Sequence, residues 1–355
     1  MGDQSTMNIL AIETSCDETS AAVVRDGRFV LSNIVASQAQ IHAKYGGVVP
    51  EVAARKHVEM IVPVIDEALT SAGCTKNDVN LIAVTTGPGL ITSLLVGVDA
   101  AKSLGFAWDK RIIPVHHIKG HIYANQILEY EGKKVERSRD FIFPIICLTV
   151  SGGHSDLVLL RSHQEFEKIG STVDDAAGEA FDKVAALLGL GYPGGPAVSA
   201  QAEKGNRDAI SFPSPMIHQD NFDFSFSGLK TAVRQLVETE QKKASQGNKG
   251  QLDQKTIQDI CASFEKAVAR ALLEKTFRAV QRFGVKKVIL SGGVAANRFL
   301  RDEFERRARE TGVEFSFPPI TLCTDNAAMI GAAAFFQSRE NFSYRDIAVR
   351  LSGGF

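Results

Sequence analysis

An α/β protein built from two related halves is what the sequence predicts, on three observations. Short apolar runs rich in β-branched residues alternate with amphipathic helical stretches. Each half contains a hairpin whose turn is made of small polar residues. Each half then runs strand, glycine turn, helix. At 355 residues the chain is too long for one compact core, so two domains are expected.

The elements follow in order. Residues 8–12 read as a strand entering a turn of small polar residues; 20–24 returns as a second strand and a third follows near 29–34. The same grammar recurs at 145–150, the Gly-rich turn 151–156 and the returning strand 157–160. Residues 79–85 lead through Gly87-Pro88-Gly89 into a helix at 93–104, and 285–290 lead through Gly292-Gly293 into a helix through 297–307. The pairing is a duplication of elements rather than of residues. Ordinary α/β alternation would also yield such pairs. The domain boundary is expected between Pro114 and Pro144, giving a first domain at 7–115 and a second at 116–325. The small apolar helix 327–339 should return to the first domain, completing it over 326–355. Residues 237–256 are polar and read as a mobile surface insertion.

Composition narrows the function classes. The 40 Lys+Arg nearly balance 41 Asp+Glu, which excludes a protein held to nucleic acid by bulk charge but not one with a local basic patch. Apolar stretches such as 184–190 fall far short of the ~20 residues a membrane span needs. The MGDQSTM start has neither a basic region nor an apolar core, so secretion is not expected. Five scattered cysteines with no CxxC argue against a disulfide framework or thiolate cluster, and the cytoplasm is the expected compartment.

Four groups of residues carry candidate chemistry. His117 and His121 stand at i and i+4, about 40° apart around a helix, where they can share a metal. A solvated helix with incidental histidines is the plainer alternative. Asp325 is a candidate third ligand, although it could instead cap the helix that follows; Thr324 competes for that capping role. A His2Asp set with open positions suits Fe(II) or Zn(II). Gly-rich turns at Ser151-Gly152-Gly153, Gly194-Gly195 and Ser291-Gly292-Gly293 favour a nucleotide cleft, because glycine permits positive φ and close approach of backbone amides to phosphate. Neither GxxxxGK[ST] nor a strand–GxGxxG–helix pattern occurs, which disfavours the P-loop and Rossmann modes. Asp174, Asp175, Glu179 and Asp182 form an acidic cluster that could serve a ribose, order a water or act as a base, or be a solvated helix start. From Glu265 to Glu310, twelve Lys/Arg against six Asp/Glu, Arg301, Arg306, Arg307 and Arg309 among them, form either a solvated helix face or a nucleic-acid footprint.

Read together, these residues resemble one family. ETSCDET at 13–19, HAKYGGVVPEVAARKH at 42–57, HIKGH at 117–121, SGGH at 151–154 and DDAAGEAFDK at 174–183 come first. YPGG at 192–195, FSFSGLK at 224–230, SGGVAANR at 291–298 and TDN at 324–326 follow in order. The set is similar to the tRNA N6-adenosine threonylcarbamoyltransferases of the bacterial TsaD type, from Asn8 to about Gly331. The resemblance implies the actin/Hsp70/sugar-kinase-like (ASKHA) fold, two duplicated RNase-H-like domains around a nucleotide cleft. It implies transfer of threonylcarbamoyl from threonylcarbamoyl-adenylate to N6 of the adenosine 3′ to the anticodon, in tRNAs reading codons that begin with A, with release of AMP. His117, His121 and Asp325 are then the ligands of one metal ion, Fe(II) or alternatively Zn(II). Thr149, Val150, Ser151, Gly152, Gly153, Asp182, Gly195 and Asn297 are the adenylate contacts. Ser199 stands where some members carry an acidic residue; its hydroxyl is a weaker substitute for that ribose contact. No residue is assigned as a dedicated base. A TsaB-type paralogue and a TsaE-type ATPase are the partners implied.

Two other classes stay in view. A zincin metalloprotease needs Glu beside the first histidine, where this chain has Ile118. A nucleotide-switched binding module is allowed by the fold alone but has no need of the HxxxH…D set.

Overall fold

The computed structural model describes residues 6–135, 140–245, 252–338, 340, 342 and 347–350. The chain forms two compact units, Met1–Phe141 with Ser316–Phe355, and Ile142–Phe315. The division lies inside the window between Pro114 and Pro144, but residues 116–141 and 316–325 belong to the first unit rather than the second. The physical reason is continuity: the helix carrying His117 starts on the residue after a strand of the first sheet.

That sheet contains β1 (Asn8–Glu13), β2 (Glu18–Arg25), β3 (Phe29–Ser37), β4 (Leu81–Gly87), β5 (Arg111–His116), β6 (Glu129–Tyr130) and β7 (Lys133–Lys134). Their order is β5-β4-β1-β2-β3-β6-β7. β1 and β2 form an antiparallel hairpin with Asn8 opposite Arg25, while β4 lies parallel to β1 with Ile9 opposite Leu81. The helices are α1 (Ala39–Ala43), α2 (Pro50–Ser71), α3 (Ile91–Trp108) and α4 (His117–Tyr123). Period-2 alternation assigns the faces. Leu10, Ile12, Ala21, Val23, Ile82 and Val84 pack against Ile61, Val64, Ile65 and Ala68 of α2 and Val98 and Ala101 of α3. Pro50 opens α2 at a position where its missing N–H costs nothing.

The second unit contains β8 (Ile145–Val150), β9 (Ser155–Leu160), β10 (Phe166–Ser171), β11 (Lys287–Ser291) and β12 (Glu314–Ser316), ordered β10-β9-β8-β11-β12. Here too the first two strands are an antiparallel hairpin, Ile145 opposite Leu160, and β11 is parallel to β8, Val288 opposite Ile146. Third, second, first, fourth, fifth is thus the strand order in both sheets. The expected duplication is real at the level of topology. The helices are α5 (Ala177–Leu187), α6 (Gly194–Ala202), α7 (Ser227–Ser245), α8 (Gln254–Phe283) and α9 (Arg298–Thr311).

Two expectations change. The turn after β8 is shorter than 151–156, because β9 already begins at Ser155. The stretch 237–256 is not one irregular insertion: α7 runs on to Ser245, and α8 starts at Gln254 behind an Asp253 cap whose side chain accepts from the Thr256 amide. Glu, Gln, Lys and Ala dominate this stretch and are good helix formers, so polarity there marks a helix surface rather than a loop. Residues 246–251 lie outside the described residues.

The chain returns to the first unit with α10 (Ala327–Gln337), which packs on the sheet face opposite α2 and α3. Its small residues allow close approach. A Cβ at Gly331 would come within 2.7 Å of Val24. Among the described residues no helix is long and apolar enough to cross a membrane, and all five cysteines are free.

Candidate metal centre and nucleotide-binding residues

The first candidate site is assembled where α4 meets the start of α10. Gly120 lies between the two histidines on α4, and a Cβ there would be 2.7 Å from Ile330 and 3.2 Å from Met329. Glycine lets the side chains of Ile330 and Met329 seat against α4 at this point, where α10 packs next to Asp325. Asn326, not Thr324 or Asp325, caps α10, its side chain accepting from the Met329 amide. The Asp325 carboxylate is therefore free of capping duty.

Both Nε2 atoms face the same carboxylate oxygen. Asp325 Oδ1 is 3.1 Å from His121 Nε2 and 3.5 Å from His117 Nε2. One donor atom from each of the three residues falls within a 4.8 Å span. Donors about 2.0–2.2 Å from a metal stand about 3–3.5 Å from one another, so the two Asp325 distances have metal-ligand spacing, while the span of the whole set is wider. The histidines are 6% and 1% exposed, which dismisses a solvated helix with incidental histidines. His121 Nε2 and Nδ1 are buried with no hydrogen bond of acceptable geometry, as expected of a ring whose partner is an ion.

Glu13, at the end of β1, orients His117. Its Oε2 is 3.2 Å from His117 Nδ1 and accepts the Thr85 hydroxyl at 2.6 Å, while Oε1 accepts the Ser15 amide at 2.5 Å. Ser15 Oγ lies 3.2 Å from the same Nδ1. Burial works against charge on every member. For His117 it is outweighed by Asp325 and Glu13, which hold the imidazole well above its ordinary pKa. For His121 burial prevails, keeping the ring neutral and its lone pair available. For Asp325 and Glu13 burial is outweighed by His117, and both carboxyls fall below their usual range. Nearby, burial together with Asp17 and Asp325 pushes the Glu18 carboxyl up to about 9. Glu18 is therefore neutral near pH 7, and the negative charge that a cation requires is carried by Asp325 and Glu13.

The second candidate site follows the C-terminal ends of β8 and β11, where ligands of open α/β sheets bind. Thr149 and Val150 are fully buried, and Thr149 Oγ1 is engaged with Ser291 Oγ at 2.9 Å. The Thr149 and Val150 side chains belong to the core; what they offer a ligand is backbone. The turn beyond them is different. Gly152 and Gly153 are exposed with nothing within 4 Å of a Cβ position, and among the described residues no group accepts a hydrogen bond from either amide. They keep ordinary φ, so their use is open space rather than positive φ. Of the three Gly-rich turns only Gly292 has positive φ, 86°, and a Cβ there would strike the Val150 carbonyl at 2.4 Å.

The acidic cluster splits up. The Gly178 and Glu179 amides donate to the Ser151 and Gly152 carbonyls at 3.2 and 3.1 Å, tying α5 to the glycine turn. Asp175 and Glu179 share Lys183 at 2.7 Å each, and Asp175 also pairs with Lys230 at 3.0 Å. Asp174 accepts the Ser225 and Ser227 hydroxyls at 2.6 and 2.7 Å. Asp182 alone reaches the next glycine turn, accepting the Gly194 amide at 2.8 Å. Gly195 follows, half-buried and open, and one turn further along α6 Ser199 meets Asn297 at 2.9 Å. Asn297 also caps α9 through Oδ1, 2.8 Å from the Leu300 amide. Asp182, Gly195, Ser199 and Asn297 thus form one connected run beside the Ser151–Gly153 turn. Sequence reasoning overlooked Gly178; a glycine one position before the first-turn Glu179 was the available signal. It also gave no role to Glu13, although the 13–19 segment was singled out.

The basic tract is internally compensated. Arg306 pairs with Glu303 and Glu310 at 2.7 and 2.6 Å, Arg307 with Glu274 and Arg309 with Glu305 at 2.7 Å each. These three arginines lie on a solvated, ion-paired helix face.

Comparison with known proteins now bears on both sites. The profile of the TsaD family, tRNA N6-adenosine threonylcarbamoyltransferase, matches residues 29–332. The chain belongs to the TsaD family. A relative from Clostridium botulinum (strain Hall) carrying that name is 50% identical over 334 residues, covering 94% of this chain and 93% of its own. The Bacillus subtilis (strain 168) protein of the same name is 51% identical over 334 residues, 94% of this chain and 91% of its own. This TsaD-family chain is accordingly a tRNA-modifying transferase. Among solved structures, HypF from T. kodakarensis gives a TM-score of 0.59 at 15% identity, over 96% of this chain and 49% of that one. At that identity the likeness concerns fold alone, and with the doubled strand order it is the actin/Hsp70/sugar-kinase-like one. A zincin reading fails on its base, since Ile118 is 2% exposed in the position where Glu is needed.

Proposed function

We propose that the chain transfers threonylcarbamoyl from threonylcarbamoyl-adenylate to N6 of the adenosine 3′ to the anticodon, in cytoplasmic tRNAs that read codons beginning with A. One observation carries this reading: a chain about half identical to named threonylcarbamoyltransferases over 94% of its length places His117, His121 and Asp325 within one metal-sized span. In the reaction the N6 amine attacks the carbamoyl carbonyl, the bond from that carbon to the phosphate oxygen breaks, AMP leaves, and the amine gives up a proton. The donor is already activated, so the protein's work is positioning and charge stabilisation.

The Gly152 and Gly153 amides, on exposed residues with open space around them, receive the phosphate in this reading. Asp182, Gly195, Ser199 and Asn297 hold the ribose and base side, with Thr149 and Val150 contributing backbone. Fe(II), with Zn(II) as the alternative, fits His117, His121 and Asp325 and supplies positive charge for donor oxygens when bound. No side chain is assigned as a dedicated base. A TsaB-type paralogue and a TsaE-type ATPase are proposed as partners in turnover.

Reconstitution tests the reading. Purified chain with synthase, threonine, bicarbonate, ATP and tRNA, with and without those two subunits, should yield N6-threonylcarbamoyladenosine by nucleoside mass spectrometry. Absence of the modified nucleoside with preformed adenylate, metal and both subunits present would refute it.

A further inference from the structure

Glu265 is a carboxylate in the middle of α8 and only 3% exposed. Buried carboxylates are rare unless each oxygen is engaged. Here both are. Oε1 accepts the Ser199 hydroxyl at 2.9 Å and the Asn297 side-chain amide at 2.7 Å. Oε2 accepts Arg207 Nη2 at 2.9 Å, and the Arg207 guanidinium stacks 4.2 Å above the Phe299 ring. The Asn297 amide also donates to Ser199 Oγ, closing a three-membered ring of hydrogen bonds among Ser199, Asn297 and Glu265.

The ring has a directional consequence. Asn297 spends its amide hydrogens on Ser199 and Glu265 and its oxygen on the Leu300 amide, so its side chain is locked at both ends. Ser199 donates to Glu265 and accepts from Asn297, so its rotamer is locked too. Three elements, α6, α8 and the start of α9, are joined at this point. Replacing a buried ionic cluster by apolar residues of the same volume is often no less stable, so stability alone does not call for a charged anchor here. A charged one, set beneath two residues of the proposed nucleotide run, serves their alignment.

We propose that Glu265 is the positioning residue of the nucleotide pocket. It fixes Ser199 and Asn297 for the ribose and base of the donor and provides, from α8, the carboxylate that position 199 lacks. The inference rests on the reading that Ser199 and Asn297 contact the nucleotide.

The test is AMP affinity of the full-length chain by titration calorimetry, with thermal unfolding of each variant alongside. E265Q keeps the shape and should weaken AMP about tenfold, a loss of about 1.4 kcal/mol. S199D should also weaken AMP, because it sets a second carboxylate against Glu265. S199D/E265Q, which moves the carboxylate from α8 to α6, should recover to within about threefold of wild type. In the transfer assay E265Q should raise KM for the adenylate while KM for tRNA stays unchanged. A merely structural role would lower kcat, or the active fraction, without that split and without rescue. N297A separates the two levels of the argument. If N297A weakens AMP while E265Q stays within twofold of wild type, or the double variant is no better than either single one, the Glu265 proposal is overturned. If N297A leaves AMP binding intact, the pocket reading falls and takes this proposal with it.

Discussion

Glu13 Oε2 stands 3.2 Å from His117 Nδ1, and that contact decides which nitrogen of the ring faces Asp325. A metal ion displacing the Nε2 proton would leave the Nδ1–H donated to a carboxylate that also accepts the Thr85 hydroxyl, with Nε2 as the ligating atom. Glu13→Gln preserves volume but removes the charge that holds this tautomer. It should lower affinity for a divalent metal by about 10- to 100-fold, as loss of an outer partner of a ligating histidine does. Competition against a chromophoric chelator reads the affinity directly. Unchanged affinity would mean that Glu13 serves the fold and not the ion.

Removing a ligand is the stronger perturbation. His121→Ala deletes a ring that burial keeps neutral and whose Nε2 faces Asp325 at 3.1 Å. Elemental analysis should find a bound divalent ion in the wild-type protein and none in the purified variant. Transfer from preformed threonylcarbamoyl-adenylate should fall with it. Near-normal single-turnover transfer by the metal-free variant would discard the metal's role.

Much of this was readable beforehand, for identifiable reasons. Both hairpins and both strand–turn–helix units announce themselves through β-branched runs broken by small residues, because period-2 burial leaves that trace. His117, His121 and Asp325 were readable as residue types. That residues 116–141 side with the first unit was not, since it depends on α4 following β5 without a break and on Gly120 admitting α10. Glu265 was hidden for the opposite reason. It opens a stretch dominated by Lys and Arg, and only the tertiary fold turns it inward while Arg306, Arg307 and Arg309 find acidic neighbours on the surface. Polarity over 237–256 does not mean looseness, because Glu and Lys are also what a helix exposes.

The glycines of the proposed nucleotide pocket divide into two kinds, which mutation should separate. A Cβ on Gly194 would lie 2.5 Å from the Asp182 Cα and 2.8 Å from the Phe181 carbonyl oxygen. Gly194→Ala must therefore push α6 from α5, costing about 1–3 kcal/mol. Gly153 has open space around it. Gly153→Ala should leave thermal unfolding unchanged yet weaken AMP binding, because the methyl group occupies room meant for phosphate. Equal losses of stability in the two variants would contradict this division.

Asp174 yields a pH dependence with a definite sign. Burial opposes its ionisation, but the hydroxyls of Ser225 and Ser227 and the amides of Phe226 and Ser227 outweigh burial and lower its pKa. These donors sit at the start of α7, where a carboxylate also meets the positive end of the helix. A carboxyl with a depressed folded-state pKa binds its proton more weakly than in the unfolded chain. The stability it adds is complete above the unfolded value of about 4 and is lost as pH falls through the lower folded one. Asp174→Asn should therefore be less stable than wild type at pH 7, with the gap closing as pH drops below about 4. Urea unfolding of both proteins at pH 7, 5 and 3.5 reads that gap. A difference that stayed constant across the three, or widened toward acid, would show that Asp174 holds α7 by shape alone and not by charge.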